Sequence, residues 1–212
     1  MAAMGSGQRL TPYNCIFLLC DLQERVMEHV GQAHEVIIGT KALLNTAGLL
    51  HIPVLVSEQF PQALRHTVRE LDIRQARVTS RVCMSAFTPE VSEIMQAFRG
   101  NTCVLIGVET HITIQQTALD LLAFGLEVQV VQDCTSSVRA MDSEIALKRL
   151  QQSGVVLTTV ASLLFELMRT SECPGFTQLS SVAKTYADGV HADHRLAFLT
   201  KSPSEASLAE TK

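Results

Sequence analysis

Tryptophan is absent from this chain of 212 residues, tyrosine occurs twice, and aromatic residues make up only 5%. Surfaces that bind single-stranded nucleic acid stack bases on aromatic rings set among positive charges, so this scarcity argues against such a partner. Positive charge is scarce as well. Lys and Arg number 17 against 21 Asp and Glu, for a net charge of −4 and a pI near 6.0, which leaves no global field to attract a phosphate backbone. The densest basic stretch carries Arg65, Arg69, Arg74, Arg77 and Arg81, but Glu70 and Asp72 dilute it. It reads as a solvated face, and nucleic-acid processing stands only as a minor alternative.

Long apolar runs are also missing, far short of the ~18 residues that suggest a membrane span. No secretory signal opens the chain, and no CxxC or HxxxH pair appears. The close pair His191 and His194 lies in a late segment without cysteine, so neither a metal site nor a cofactor is expected. The cysteines at 15, 20, 83, 103, 134 and 173 are even in number. Cys15, Cys20 and Cys103 nevertheless sit in apolar runs, where a free thiol behaves as a small hydrophobe, and reduced thiols in a cytoplasmic protein are the expectation. The opening MAAMGSGQRLTPYN has one Arg and no acid, which leaves mitochondrial delivery open. The final SLAETK is polar and is expected to fray.

What is present is alternation. Hydrophobic residues make up 47% of the chain, enough for one α/β domain over residues 1–212, with a core at about 12–170 and an extension from 171. The apolar run Cys15 to Cys20 reads as a central strand, and Ala33 to Leu50 as a helix. Further strands are expected at Ile52 to Val56, Ala76 to Thr79, Thr102 to Val108, Leu126 to Val131 and Val155 to Val160. Helices are expected from Pro89 through Phe98, from Thr113 to Phe124 with Gly125 as its C-terminal cap, from Ser143 to Gln152, and from Leu163 to Met168. Such alternation predicts a mostly parallel sheet between helix layers.

In parallel sheets ligands bind outside the carboxyl ends of the strands, so the residues just past each strand are the candidates for chemistry. Asp21 directly follows the first run and could serve as acid or base, or equally as the cap of a following helix. Arg81 could hold a carboxylate or keep Asp21 ionised, although a lone loop Arg is commonly a surface charge. Gly107 permits a break in VLIGVETHITIQQTALDLL, and a helix starting near Thr113 would aim its free amides at whatever sits there. A thiol there would be an activated nucleophile. Thr113 offers only a hydroxyl, which stays protonated near neutral pH unless a strong base adjoins it, and its plain reading is a helix cap.

The motifs FLLCDLQE (17–24), VLVSEQFPQAL (54–64), SRVCMSAF (80–87) and VLIGVETHITIQQTALDLLAFGLEVQVVQDCTSS (104–137) together resemble the isochorismatase-like (cysteine hydrolase) superfamily. Within it they most resemble the isochorismatase domain-containing proteins. The resemblance covers roughly residues 12 to 170, in order and at the family's spacing. It implies a three-layer α/β/α fold with a six-stranded parallel sheet, and a site made of an aspartate after the first strand, a lysine after the third and a cysteine at the helix start after the fourth. Asp21 matches the first position. Arg81 stands at the lysine position and Thr113 at the cysteine position, which makes a degenerate triad. The resemblance further implies a cis peptide at Val108-Glu109, substrate contacts from Gln23, Glu58, Gln59, Phe60, Glu109 and Thr110, and a homo-oligomer, commonly a dimer or tetramer. The family's metal motif is missing after the second strand, where SEQFPQAL stands.

The resemblance leaves two functions open. One is a hydrolase of a small anionic or amide-bearing metabolite that uses Asp21 and Arg81 without the thiol. The other is a catalytically lapsed member that keeps the cleft for binding or the fold for assembly.

Overall fold

The computed structural model describes residues 9–173 and 175–200, with side chains through residue 192. Six strands form one sheet in the order β3-β2-β1-β4-β5-β6, and every pairing is parallel. The strands are β1 (Cys15–Cys20), β2 (Val54–Gln59), β3 (Arg77–Arg81), β4 (Thr102–Val108), β5 (Glu127–Ser136) and β6 (Val156–Thr158). The helices are α1 (Glu24–Met27), α2 (Ala33–Leu50), α3 (Pro61–Leu64), α4 (Pro89–Met95), α5 (Gln115–Phe124), α6 (Ala140–Gln152), α7 (Val160–Met168) and α8 (Phe176–Thr200).

β1 and β4 are buried along their whole length, as central strands covered on both faces must be. Their side chains alternate between two cores. Phe17, Leu19, Val104 and Ile106 pack on the side of α2, α7 and α8, where Leu43, Leu163 and Leu179 meet them. Ile16, Leu18, Cys103 and Leu105 pack on the side of α4, α5 and α6, against Met95, Leu121 and Leu150. The three-layer expectation holds, and the order of strands reverses between β1 and β4. That reversal opens the crevice where a parallel sheet places its ligands.

Several boundaries differ from the sequence expectation for identifiable reasons. β2 starts after Pro53, whose carbonyl accepts from the Phe17 amide, and runs on through the polar Ser57, Glu58 and Gln59 because β3 pairs with them. β5 is ten residues long and continues past Val131, since Gly107 and Val108 of β4 pair with Thr135 and Ser136 across a register shift. β6 is only three residues. Val160 belongs instead to α7, whose start is capped by the Thr159 side chain and by Asp133, which accepts from the Val160 amide.

The segment after 171, expected as an extension, contributes α8, which packs on the same core through Leu179. Tyr186 on α8 donates to Asp133 at 2.7 Å. Burial and that carboxylate push the Tyr186 hydroxyl well above the ordinary tyrosine range, so it stays a donor. His194 and SLAETK lie outside the residues whose side chains are described. Among the described residues no helix is long and apolar enough to cross a membrane.

Two backbone features lie at the crevice. Gly107 has φ +125, and a Cβ there would collide with the Cys20 carbonyl oxygen. β1 and β4 can approach this closely only over a glycine. The peptide Val108-Glu109 is cis. Gly107→Ala combines a backbone clash with a disfavoured φ, and is expected to cost at least about 3 kcal/mol, measured by urea unfolding.

Candidate active site

Asp21, just past β1, takes a left-handed conformation, φ 55, which aspartate tolerates better than most residues. Its carboxylate caps no helix. α1 begins beyond Gln23 without a side-chain cap, so the capping alternative fails and Asp21 turns into the crevice. Arg81, the last residue of β3, reaches across β2 to meet it. Nη1 donates to Asp21 Oδ1 and Nη2 to Oδ2, both at 2.7 Å. Thr113 completes the cluster by donating its hydroxyl to Asp21 Oδ2 at 2.7 Å. The three positions brought together by family resemblance are therefore in direct contact.

Thr113 is not a helix cap. The chain leaves β4 into a π-helical turn, Thr110–Ile114, that runs directly into α5. Thr113 thus lies inside the helical stretch, where its side chain is free to face Asp21. Arg81 Nη2 also approaches the Thr113 hydroxyl at 3.3 Å.

Arg81 makes three further bonds. Nη1 donates to Ser57 Oγ at 3.0 Å, Nε to the Ser85 carbonyl at 3.0 Å, and Nη2 to the Met84 carbonyl at 3.1 Å. A guanidinium has five N–H donors, and with Asp21 counted all five have acceptors in the protein. Burial alone would weaken the charge, but the hydrogen-bonded Asp21 carboxylate overrides it and holds Arg81 firmly protonated. Arg81, Asp21 and Thr113 are 6%, 3% and 2% exposed. Arg81 is therefore a buried internal ligand of Asp21 and not a surface charge.

Ser57 was not among the sequence candidates, and Met84 and Ser85 were so only by lying in the Arg81 to Ser85 segment past the third strand. Ser57 had a signal, a small polar residue directly after the apolar run of β2. The other two act through backbone carbonyls, which no side-chain pattern reveals. Their loop is held by α5: Ser85 donates to Asp120 at 2.6 Å, and the Ala86 amide donates to Thr117 at 2.8 Å. One helix thus fixes both Thr113 and the loop that grips Arg81.

The six residues expected to contact substrate are spread around this cluster. Gln23 is fully buried and spends its side chain on backbone, donating to the Gln59 and Arg65 carbonyls and accepting from the Gln59 amide. Glu58 points to the opposite face of β2 from Ser57, as strand alternation requires. There it accepts from the Thr67 amide and hydroxyl and bonds His66. Burial raises its pKa, but these partners outweigh burial and hold the carboxyl below the ordinary value. Both residues brace the loop after β2. Thr110 bonds the hydroxyls of Thr135 and Ser143. Glu109 accepts from the Val138 amide, and Gln59 reaches the Met84 sulfur. Phe60 is half exposed.

All six cysteines are free thiols. Cys20 adjoins the site, but burial first and the Asp21 charge second push its thiol well above the ordinary range. Burial raises Cys15 to about 12. Neither is a ready nucleophile. Cys83 is exposed and its thiol donates to the Ser85 carbonyl.

An acid just past β1, a cation closing β3 and a hydroxyl in the turn after β4 thus meet at the carboxyl edge of a six-stranded parallel sheet, the arrangement of the isochorismatase-like class of three-layer α/β/α proteins. The comparisons place the chain within it. The family model "Isochorismatase domain" matches residues 15–162, and the chain belongs to that family. Isochorismatase domain-containing protein 1 of Salmo salar is 41% identical over 180 residues, covering 84% of this chain and 64% of that protein. The chain thus spans less than two thirds of that relative's length. The structure of MAR1 ribonuclease from Caenorhabditis elegans is 31% identical, with TM-score 0.79 over 82% of this chain and 92% of that one. The YcaC gene product of Escherichia coli, described as an octameric hydrolase of unknown specificity, shares the fold at 21% identity and TM-score 0.79, over 91% of this chain and 98% of that one.

The buried charges make two effects measurable. Asp21→Asn strands the guanidinium and is expected to cost about 3–5 kcal/mol, whereas Asp21→Asn with Arg81→Met should cost clearly less; urea unfolding of the three proteins measures the coupling. For Glu58, the folded pKa lies below its ordinary 4.5, so its stabilisation is present above that value and is lost as pH falls through the folded pKa. The melting temperature of wild type should exceed that of Glu58→Gln at neutral pH, and the gap should close only in acid, below about pH 4.5.

Proposed function

We propose that this chain is an isochorismatase-family protein that retains the hydrolase fold but not covalent thiol hydrolysis. In this reading Asp21, Arg81 and Thr113 form a fixed clamp, and the protein works by binding or assembly. The observation that carries it is the saturation of Arg81: all its donors are spent within the protein, two of them on the carboxylate that would have to move protons. A thiol-dependent hydrolase needs a nucleophile that ionises near neutral pH and a partner that exchanges protons. A threonine hydroxyl and a permanently charged guanidinium supply neither.

A second reading, a hydrolase of a small anionic or amide-bearing metabolite, is favoured by one contact. The Thr113 hydroxyl lies 2.7 Å from Asp21, within the reach of a nucleophile and its base. It requires Asp21 to act as proton donor or acceptor while Arg81 occupies both of its oxygens. Gln59, Phe60, Glu109 and Thr110 would then line the substrate.

Self-association is part of the proposal on family grounds, and the octameric E. coli protein illustrates it. A nucleic-acid role, suggested by the name of the C. elegans protein, has little charge to support it here. Arg65 and Arg69 pair with Glu24, Arg74 with Asp72 and Arg77 with Glu90, and Arg81 is buried.

Installing the missing groups tests the clamp. In Thr113→Cys the new thiol is expected to react with iodoacetamide more slowly than Cys83, followed by peptide mass spectrometry, because position 113 is buried. Adding Arg81→Lys removes the bidentate grip on Asp21, freeing that carboxylate to take the thiol proton, and should speed alkylation at 113 by roughly threefold, about tenfold more thiolate per pKa unit offset by its lower nucleophilicity. Wild-type turnover of a carboxylated or amide metabolite that vanishes in Asp21→Ala would overturn the binding reading in favour of hydrolysis.

A further inference from the structure

α6 turns an apolar ridge to solvent. Its buried residues, Ala146 and Leu150, hold one side of the helix against the core, which puts Met141 and Ile145, one turn apart, on the opposite side. They are 61% and 59% exposed, and Val138, just before the helix, is 54% exposed. Elsewhere among the described helices, exposed large hydrophobic residues occur singly, Leu49 on α2 and Phe165 on α7. Isolated residues of that kind need no partner, whereas a contiguous row marks a surface that another molecule covers.

The charges beside the ridge identify that molecule. By the helical repeat, Glu144 and Lys148 run along one flank of Met141 and Ile145, and Asp142 and Arg149 along the other. On both flanks the acid stands nearer the amino end of α6 and the base nearer the carboxyl end. Within the chain Lys148 bonds Glu144 at 2.6 Å, and Arg139 approaches Asp142 at 3.8 Å. Such pairs on an exposed surface contribute little by themselves and leave their ions free to take a second partner. The order also suits the helix dipole, but the dipole gives no reason for the exposed Val138, Met141 and Ile145. A second α6 laid antiparallel on the first accounts for both features. About a two-fold axis at the level of Ile145 and Ala146, the two Ile145 side chains meet at the centre. Each Glu144 then faces Lys148 of the other copy, and each Asp142 faces Arg149. A parallel arrangement would set acid against acid and base against base.

We propose that α6 is a contact surface between two copies of this chain, packed antiparallel through Val138, Met141 and Ile145 and flanked by the crossed acid and base pairs. This contact gives a face to the self-association proposed above, on which it rests. A two-fold contact must be self-complementary, and the charge order of α6 meets that condition. The contact also backs on the candidate active site. Ser143 of α6 bonds Thr110 at 3.0 Å, and the Val138 amide donates to Glu109 at 3.0 Å, so a second copy braces the turn that carries Thr113.

Sedimentation velocity on the full-length protein, over a range of concentrations in low and high salt, tests the contact. Wild type is expected to self-associate, and to do so more weakly as salt screens the flanking pairs. Ile145→Asp sets two carboxylates against each other at the centre and should raise the dissociation constant at least about thirtyfold. Lys148→Glu should raise it about tenfold, and adding Glu144→Lys, which exchanges the two charges, should bring it back to within about threefold of wild type. Urea midpoints close to wild type are expected throughout, because all three positions are exposed. Wild type that stays monomeric overturns both this contact and the self-association on which it rests. Self-association left intact by Ile145→Asp overturns the contact alone and puts the interface elsewhere. Failure of the charge exchange to rescue Lys148→Glu overturns the antiparallel arrangement.

Discussion

Asp21 and Arg81 face each other across two buried 2.7 Å hydrogen bonds, and little at this end of the sheet can move without breaking them. Removing two charges from water is expensive, and only good geometry with every remaining donor satisfied repays it. That requirement organises the neighbourhood. Ser57 must be small and polar, the Met84 and Ser85 carbonyls must point inward, and α5 must hold their loop through Thr117 and Asp120. Thr113 occupies the remaining side of the carboxylate. A lysine at 81 would have a single ammonium to divide among these acceptors. The planar fork of arginine reaches them together.

The backbone is arranged to permit this meeting. β1 and β4 come close enough at their ends for the Cys20 carbonyl to occupy the space a side chain would need at Gly107. Beyond that point β5 departs from regular pairing: two steps along β4, from Leu105 to Gly107, are matched against five along β5, from Val130 to Thr135. The extra residues carry Asp133 to the start of α7 and to Tyr186 of α8, while Thr135 reaches α6 through Thr110, which also bonds Ser143. One irregularity thus serves three helices.

Much of this was legible in the residues. The apolar runs at 15–20 and 102–108 fixed the central strands, because a strand covered on both faces has no room for polar side chains. Asp21 and the Gly107 turn stood out as the points where those runs break. Polar strand ends were harder. Ser57 to Gln59 and Thr135 to Ser136 pair as β-structure although nothing in their composition demands it, since a ladder is decided by the partner strand. α8 escaped notice because its stabilising contacts, Leu179 on the core and Tyr186 on Asp133, join residues distant in sequence.

The sequence by itself determined the layer order, the family and the identity of the three residues at the site, because burial periodicity and motif spacing are local properties. It also determined that a thiol and a lysine are missing. Only the tertiary structure decided what replaced them. Whether Arg81 is a free anchor or a saturated clamp depends on where Ser57, Met84 and Ser85 place their oxygens, and whether Thr113 caps a helix or bonds Asp21 depends on a turn begun three residues earlier, at Thr110. Hydrogen bonds are satisfied in space, at this site by groups 92 residues apart in the chain, and spacing along the chain carries no record of that.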